Sequence, residues 1–184
     1  ISGFAVSDKT YDGTTLATVT NAGTVSGQVS GDDVTVASVS AAFTTKNAGS
    51  QNLVITGGTL SGSDAANYTS SISGSSTATI NAKAVTLTAP AITKTYDGDL
   101  TYTTQAANLT ALSTQLGVSG DTVTAITLAF TDKNAGSANK TVTPSSATIS
   151  DGNSGNNYSI TYANNTTSTI NKATVSLSAT KVYD

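Results

Sequence analysis

Two short segments carry the side chains best suited to chemistry. The sequence Lys-Thr-Tyr-Asp-Gly at residues 9–13 recurs at residues 94–98. An ammonium group, a phenol and a carboxylate within five residues could bind a ligand or a cation. The same order also predicts a turn, in which the aspartate caps its own backbone, the glycine adopts a positive φ and the tyrosine closes the edge of a core. The motif residues are Lys9, Tyr11, Asp12 and Gly13 in the first copy and Lys94, Tyr96, Asp97 and Gly98 in the second.

Calcium is the cation that such aspartates would suit. It takes six to eight oxygen ligands, commonly including several carboxylates. The chain has no DxDxDG loop, so we favour the turn over a calcium site. The calcium candidates are Asp12, Asp32 and Asp33, with Asp8, in the first copy, and Asp97 and Asp121, with Asp99, in the second.

Covalent chemistry has little support in the composition. Isopeptide bonds join lysine to asparagine in some β-sandwiches, so Lys9 or Lys94 could pair with Asn67 or Asn157. The acid that assists such bonds is commonly glutamate, which this chain lacks, although aspartate can substitute. Histidine and cysteine are absent, which removes the usual acid-base and thiol mechanisms. We therefore predict no catalytic residue, no enzyme activity and no cofactor other than the possible calcium.

The motif is part of a longer repeat that includes most of the chain. Corresponding segments lie 85 to 90 positions apart, a drift typical of small insertions in surface loops. We predict repeats at 1–83 and 84–172, with 173–184 forming a connecting strand and the start of a third copy. The corresponding segments are 29–32 with 118–121, 43–50 with 130–137, 67–69 with 157–159, and 79–81 with 169–171. The third of these pairs contains Tyr68 and Tyr158, which we assign to the structural motif.

Composition favours strands and excludes some partners. The chain is rich in Ser, Thr and Val, contains no Glu or Arg, and has seven Tyr and three Phe to build its cores. A net charge of −3 without arginine argues against nucleic acid. No apolar run approaches the roughly 18 residues of a membrane span. The absence of cysteine is compatible with export.

Alternating apolar residues predict about seven short strands per repeat, which is typical of an antiparallel Ig-like sandwich. Apolar parity changes within the strand that ends at Phe43, and again within the strand that ends at Phe130, which predicts a bulge in both copies. Leucine spacing predicts a helix over 105–116, whereas the counterpart at 16–25 is expected to form a short turn or helix. Units of the β-grasp type, with one short helix, are the alternative. The stretch 81–90 alternates like a strand, which favours a stiff rod of two units.

These motifs, in this order, resemble the YDG-type repeats of large bacterial surface proteins. The resemblance rests on Lys-x-Tyr-Asp-Gly, Ser-Gly-Asp, Lys-Asn-Ala-Gly-Ser, Asn-Tyr-Thr and Ala-Thr-Ile-Asn. It implies tandem domains of filamentous-haemagglutinin-like adhesins, exported to the surface of a Gram-negative bacterium. We accordingly expect a monomeric stalk that contacts neighbouring repeats of its own chain and projects an adhesive region. The alternative is that the repeats themselves bind a host glycan or matrix protein.

Overall fold

The computed structural model describes residues 1–72 and 76–181, and divides into two compact units. Unit 1 consists of Ile1–Ala84 together with Asp151–Ser159. Unit 2 consists of Val85–Ser150 and the residues from Ile160 onward. A segment of the second repeat therefore belongs to the unit formed by the first. The predicted start of a third copy, Val182–Asp184, lies outside the described residues.

Unit 1 is built around a mixed sheet. Its strands are β1 (Ala5–Val6), β2 (Lys9–Thr10), β3 (Val19–Asn21), β4 (Thr35–Phe43), β5 (Gly49–Ser61) and β6 (Thr77–Asn81). The sheet order is β2-β6-β5-β4, while β1 pairs with β3. The pairs β4–β5 and β5–β6 are antiparallel, whereas β2 runs parallel to β6. A short 3-10 helix spans Ala65–Asn67.

Unit 2 repeats this plan with additions. Its elements continue as β7 (Lys83–Thr88), β8 (Thr93–Thr95), β9 (Thr101–Tyr102), α1 (Ala106–Leu116), β10 (Thr122–Phe130), β11 (Gly136–Ser150), β12 (Tyr158–Ala163) and β13 (Asn165–Asn171). The sheet order is β8-β13-β11-β10-β9, and β8 runs parallel to β13. Strands β7 and β12 form a separate ladder, and the boundary between the units falls inside both of them.

Strand predominates in both units, so the β class predicted from composition is confirmed. In each repeat the second strand, β2 or β8, pairs in parallel with the last strand of the same repeat, which a purely antiparallel arrangement does not contain. The predicted bulges are confirmed as well. The β4–β5 register shifts between Val36 and Val39, and the β10–β11 register shifts between Val123 and Thr127. Each shift turns the apolar face of the strand back toward the core.

Helix α1 confirms the helix predicted for the second repeat. The Gln105 backbone N–H donates to Asn108 Oδ1 at 3.0 Å, and the helix ends at Gly117 with φ 64°. Leu112 and Leu116 are fully buried, because this face of the helix packs on β10. The counterpart in the first repeat forms β3 instead, since it lacks the leucine spacing. None of the helices among the described residues is long and apolar enough to cross a membrane.

The connecting strand forms after the first repeat but not after the second. Strand β7 buries Val85 and Leu87, and it pairs with β12. The corresponding stretch at 172–181 has no regular structure, and Val175 and Leu177 are 85% and 99% exposed. The prediction of a second connecting strand is therefore wrong for the described residues. The physical reason is that β7 forms only with a partner strand, and no strand pairs with residues 172–181.

Candidate functional site

The first Lys-x-Tyr-Asp-Gly segment forms a compact corner at the end of β2. Lys9 Nζ lies 2.7 Å from Asp12 Oδ1 and also donates to the carbonyl oxygens of Thr14 and Leu16, each at 3.1 Å. The Thr14 backbone N–H donates to Asp12 Oδ1 at 2.9 Å, and Gly13 has φ 81°. The ammonium group also lies 5.8 Å from the centre of the Phe43 ring. The lysine therefore closes the turn that the sequence predicts.

The second copy repeats the corner closely. Lys94 Nζ lies 2.7 Å from Asp97 Oδ1 and 2.7 Å from the Asp99 carbonyl oxygen, and the Asp99 N–H donates to Asp97 Oδ1 at 3.0 Å. Gly98 has φ 86°, and Lys94 lies 5.4 Å from the Phe130 ring centre. The turn geometry predicted for Asp12, Gly13, Asp97 and Gly98 is therefore present in both repeats.

The corner lowers the pKa of both aspartates. Burial raises the pKa of Asp12, but the hydrogen bonds from Lys9 and Thr14 outweigh it, so the pKa lies below its ordinary value. Lys94 and then the Asp99 N–H lower the pKa of Asp97. Both groups are therefore carboxylates engaged in the turn, with each lysine held between one carboxylate and main-chain carbonyls. The lysines lie here rather than beside Asn67 or Asn157, the partners of the isopeptide hypothesis.

The structure does not gather the calcium candidates. Asp32 accepts a hydrogen bond from the Tyr68 hydroxyl at 2.6 Å, and Asp33 accepts from the Ser63 N–H at 3.1 Å. Asp121 is buried at the end of the turn after α1. Across residues 1–72 and 76–181, no three side chains of the metal-binding types form a group that could hold an ion. Calcium binding stays a prediction, which melting curves with calcium and with a chelator would test.

A loop that the sequence did not single out as a site is organised around one buried carboxylate. It runs from Asp151 to Tyr158 and belongs to unit 1. Asp151 is 3% exposed, and its carboxylate accepts from the backbone N–H groups of Asn153, Gly155 and Asn157 at 2.8, 2.9 and 3.1 Å. Burial raises the pKa of Asp151, but these three donors outweigh it and lower the pKa overall. We call Asp151–Tyr158 the anchor loop.

The anchor loop is held in unit 1 by main-chain groups of the first repeat. The Ala48 N–H donates to Asn157 Oδ1 at 2.8 Å, and the Lys83 N–H donates to the Asn157 carbonyl oxygen at 2.9 Å. Asn153 Nδ2 donates to Asn157 Oδ1 at 2.9 Å, which fixes the orientation of the amide. Asn157 is fully buried, so both its backbone and its side chain serve this contact.

The aromatic part of the contact joins Tyr158 to the first corner. The Tyr11 and Tyr158 ring centres lie 5.5 Å apart with planes inclined at 76°, the edge-to-face arrangement that aromatic pairs favour. Tyr11 is 2% exposed and Tyr158 is 7% exposed. The tyrosine of the first motif thus closes a core edge as predicted, but the group that covers it comes from the second repeat.

Tyr96 departs from the prediction. It is 40% exposed, although it occupies the same position in its corner as Tyr11. The turn around it is unchanged, so the local sequence is not the cause. Tyr11 is covered by the anchor loop, whereas no loop of that kind covers Tyr96 in the described part of unit 2. The expectation that Tyr96 plugs a core edge is therefore wrong for this chain.

Tyr68, the counterpart of Tyr158, has a different role. Its hydroxyl donates to Asp32 and accepts from the Val29 N–H at 2.9 Å, so its loop folds back on the 29–33 turn. The Asp32 contact raises the pKa of Tyr68. Asn67 is exposed, unlike its counterpart Asn157. The two Asn-Tyr pairs therefore share sequence without sharing surroundings.

Sequence reasoning named Asn157 as a candidate isopeptide partner and missed Asp151. A signal was present, because the stretch Asp-Gly-Asn-Ser-Gly-Asn-Asn contains little except turn-forming residues. The first repeat has Ser61 at the place of Asp151, so comparing the copies would also have singled out this carboxylate. Nothing in the sequence, however, indicates that the loop packs against Tyr11.

The structure thus defines a β-rich protein of tandem repeats. The YDG domain model matches residues 1–79 and 81–168, and the chain belongs to the YDG domain family. Searches of curated proteins and of solved structures found no match.

The family match corrects the narrower identification made from the motifs. It supports a YDG domain and gives no link to filamentous-haemagglutinin-like adhesins. The assignment of these repeats to bacterial adhesins is therefore withdrawn. The motifs were sufficient to identify the domain, but a domain does not specify the larger proteins in which it occurs.

Proposed function

We propose that the chain is a structural spacer: a tandem pair of YDG repeats that carries load and holds other parts of a polypeptide apart. The observation that carries the proposal is the anchor loop, because residues of the second repeat complete the fold of unit 1. The chain passes between the units after residues 84, 150 and 159. If each unit consisted of one continuous segment, the chain would pass between the units only once.

The polar and aromatic contacts of the anchor loop support a load-bearing role, because they resist removal of the loop from unit 1. Removing the anchor loop would leave the Ala48 N–H without Asn157 Oδ1 and would uncover Tyr11. Exchanging an intramolecular hydrogen bond for one with water costs about 0.5–1.5 kcal/mol net, several such bonds are lost together, and loss of aromatic burial adds to it. Extracting the loop therefore costs several times the thermal energy, as a spacer requires.

The surface composition is consistent with this role. Charged residues make up 10% of the chain, and serine and threonine are its most frequent polar residues. The role requires no catalysis and no cofactor. An extracellular location belongs to the proposal and is supported by composition alone. The Ig-like sandwich also stays a prediction, since the sheet order described above establishes only the β class.

Distance measurements between spin labels test the proposal. The chain has no cysteine, so Ser30→Cys and Ser119→Cys place labels at corresponding exposed turns of the two repeats. We expect a narrow distance distribution by double electron–electron resonance. The same labels in an Asp151→Asn background should give a broader one. A broad distribution in the unaltered chain would contradict the spacer.

Ligand binding is the competing outcome. Glycan arrays and immobilised matrix proteins should give no signal with this chain if it acts as a spacer alone. The candidate aromatic contacts for a ligand are Tyr162, which is 41% exposed, and Tyr102, which is partly exposed. Saturable binding that survives Tyr162→Ala and Tyr102→Ala would point to another binding face, and binding lost in these variants would identify these tyrosines. Either result would replace the pure spacer by the direct-binding alternative.

A further inference from the structure

Unit 2 carries the same frame that receives the anchor loop in unit 1. The Tyr11 N–H donates to the Asn81 carbonyl oxygen at 2.8 Å, and the Tyr96 N–H donates to the Asn171 carbonyl oxygen at 2.8 Å. Likewise, the Phe43 N–H donates to Thr15 and the Phe130 N–H donates to Leu100, both at 2.8 Å. The corner, the end of the last strand and the edge of the core therefore match in the two units.

The matching face is covered in unit 1 and open in unit 2. Residues 46–48 are partly buried, whereas the corresponding residues 133–135 are exposed. Tyr96 is 40% exposed where Tyr11 is 2% exposed. A shallow groove adjoins the open face of unit 2, and it is lined by Ala135, Gly136, Ser137, Ile170, Asn171 and Lys172. Ala135 corresponds to Ala48, whose N–H holds the anchor loop of unit 1.

We propose that this face, formed by Tyr96, Ala135 and Asn171, is the receptor for the anchor loop of a further YDG repeat in the same polypeptide. The occupant is a loop of the Asp-Gly-Asn-x-Gly-Asn-Asn-Tyr type. Its second consecutive asparagine accepts from the Ala135 N–H, and its tyrosine packs edge-to-face on Tyr96. The array then has a direction, because each repeat donates its loop to the one before it.

The exposed stretch after β13 supports the same occupant by a separate observation. Val175 and Leu177 correspond to Val85 and Leu87. Val85 and Leu87 are 8% and 0% exposed, because they form the first strand of unit 2. Val175 and Leu177, at 85% and 99% exposed, have the composition of the first strand of a following repeat.

A second copy of this chain is a poorer occupant. Its own anchor loop is already in use, since Asp151 is 3% exposed and Asn157 is fully buried in its unit 1. Docking between chains would require that loop to leave its own unit and lose the contacts with Ala48 and Lys83. A further repeat in the same chain carries no such cost and acts at high effective concentration.

A three-repeat chain tests the proposal. Residues 1–172 are followed directly by residues 83–184, which keeps the repeat in register and supplies a second anchor loop. Residues 1–172 carry the isotope label, and amide exchange is read at Ala135. We expect exchange at Ala135 to slow at least tenfold relative to the two-repeat chain. Tyr96→Ala should lower the urea midpoint of unit 2 in the three-repeat chain far more than in the two-repeat chain.

The matched control carries Asp151→Asn and Asn157→Ala in the appended copy alone, and should return Ala135 to its two-repeat rate. A chain labelled in the appended copy reports whether that copy folds. In a second arm, a peptide of residues 150–160 is added to the two-repeat chain and the Tyr96 ring resonances are followed. The proposal is overturned if Ala135 exchange is unchanged while the appended copy is folded. It is also overturned if neither Ala135 exchange in the three-repeat chain nor the Tyr96 resonances with added peptide change. Concentration-dependent dimers would assign the face to a second copy instead.

This inference rests on the proposed spacer function, and its failure is distinguishable from failure of that function. The spin-label distances concern units 1 and 2, whereas Ala135 exchange concerns unit 2 and an appended repeat. A narrow distance distribution with unprotected Ala135 would keep the spacer and reject the receptor.

Discussion

The corners at Tyr11 and Tyr96 are nearly the same structure in two different environments. Both have a lysine 2.7 Å from the motif aspartate, a glycine with positive φ and a cation above a buried phenylalanine. They differ in cover, because Tyr158 packs on Tyr11 whereas Tyr96 is 40% exposed. The motif therefore determines the turn, and a segment distant in sequence determines whether its tyrosine becomes part of a core.

The largest expected difference is between Tyr11→Ala and Tyr96→Ala. Removing a buried aromatic ring costs about 3–5 kcal/mol, because its burial is lost and a cavity remains. We expect that loss in unit 1 for Tyr11→Ala and about 1 kcal/mol or less in unit 2 for Tyr96→Ala, since the latter ring is already in contact with water. Native-state hydrogen exchange of β5 and β11 amides measures the two units separately.

Tyrosine to phenylalanine at each position is the control, since it keeps the ring. Tyr11→Phe should retain most of the stability that Tyr11→Ala loses. Equal losses for the two alanine variants would mean that the anchor loop does not create the difference between the corners.

Asp151→Asn should come next and should depend on pH. We expect a loss of about 2–3 kcal/mol in unit 1, because an amide cannot accept from three backbone donors as a carboxylate does. The folded-state pKa of Asp151 is lowered. Its contribution is therefore complete above the unfolded pKa of about 3.9, and is lost as pH falls through the folded pKa.

Urea unfolding followed at several pH values between 2 and 7 measures this dependence. The unaltered chain should lose unit 1 stability on acidification more steeply than Asp151→Asn does. Asp64→Asn is the matched control, since Asp64 lies in the corresponding loop of the first repeat and is not shielded within a core. If unit 1 stability depends on pH in the same way in the unaltered chain and in Asp151→Asn, the Asp151 carboxylate does not organise the loop.

A smaller difference should separate Asn157→Ala from Asn67→Ala. Asn157 is fully buried and its side chain accepts from Ala48, so its loss should cost unit 1 about 1–2 kcal/mol. Asn67 is exposed, and its replacement should change stability by about 0.5 kcal/mol or less. Exchange at the Ala48 amide should accelerate in Asn157→Ala alone. Similar behaviour of both variants would show that the shared Asn-Tyr sequence, rather than the docking, sets stability.

The predictable features of this chain are the local ones. Parity changes before Phe43 and Phe130 predicted both bulges, and leucine spacing predicted α1, because each depends on residues within one element. The turn at Asp12 follows from one carboxylate and one glycine next to each other in sequence. The spacing of apolar residues and short turn motifs are sufficient to predict such features.

The anchor loop could not be predicted, because its partners lie far away in sequence. The Ala48–Asn157 hydrogen bond joins residues 109 positions apart. The repeat also led to a wrong expectation, because matching motifs in the two copies were assigned the same structural roles. Tyr68 and Tyr158 share an Asn-Tyr pair, yet one bonds to Asp32 and the other packs on Tyr11. The stretch at 173–178 has the pattern of β7 but lacks a partner strand, so its composition alone does not make it a strand.

The smallest expected effect belongs to the corner lysines, and here the two units should agree. Lys94 and the Asp99 N–H lower the pKa of Asp97, while hydrogen bonds from Lys9 and Thr14 overcome burial to lower the pKa of Asp12. Replacing Lys9 or Lys94 by methionine should raise the pKa of its own aspartate and leave the other unchanged. Carboxyl carbon chemical shifts during an acid titration measure both values in one sample.

In the unaltered chain, both carboxylates should stabilise their turns above the unfolded pKa and lose that contribution as pH falls through their folded values. Each methionine variant should shift that loss to higher pH in one corner only. Agreement between the corners would show that the turn is independent of the anchor loop, because Asp12 and Asp97 make the same bonds whether the neighbouring tyrosine is covered or exposed. A shift confined to Lys9→Met would instead mean that the anchor loop strengthens the first corner as well as covering it.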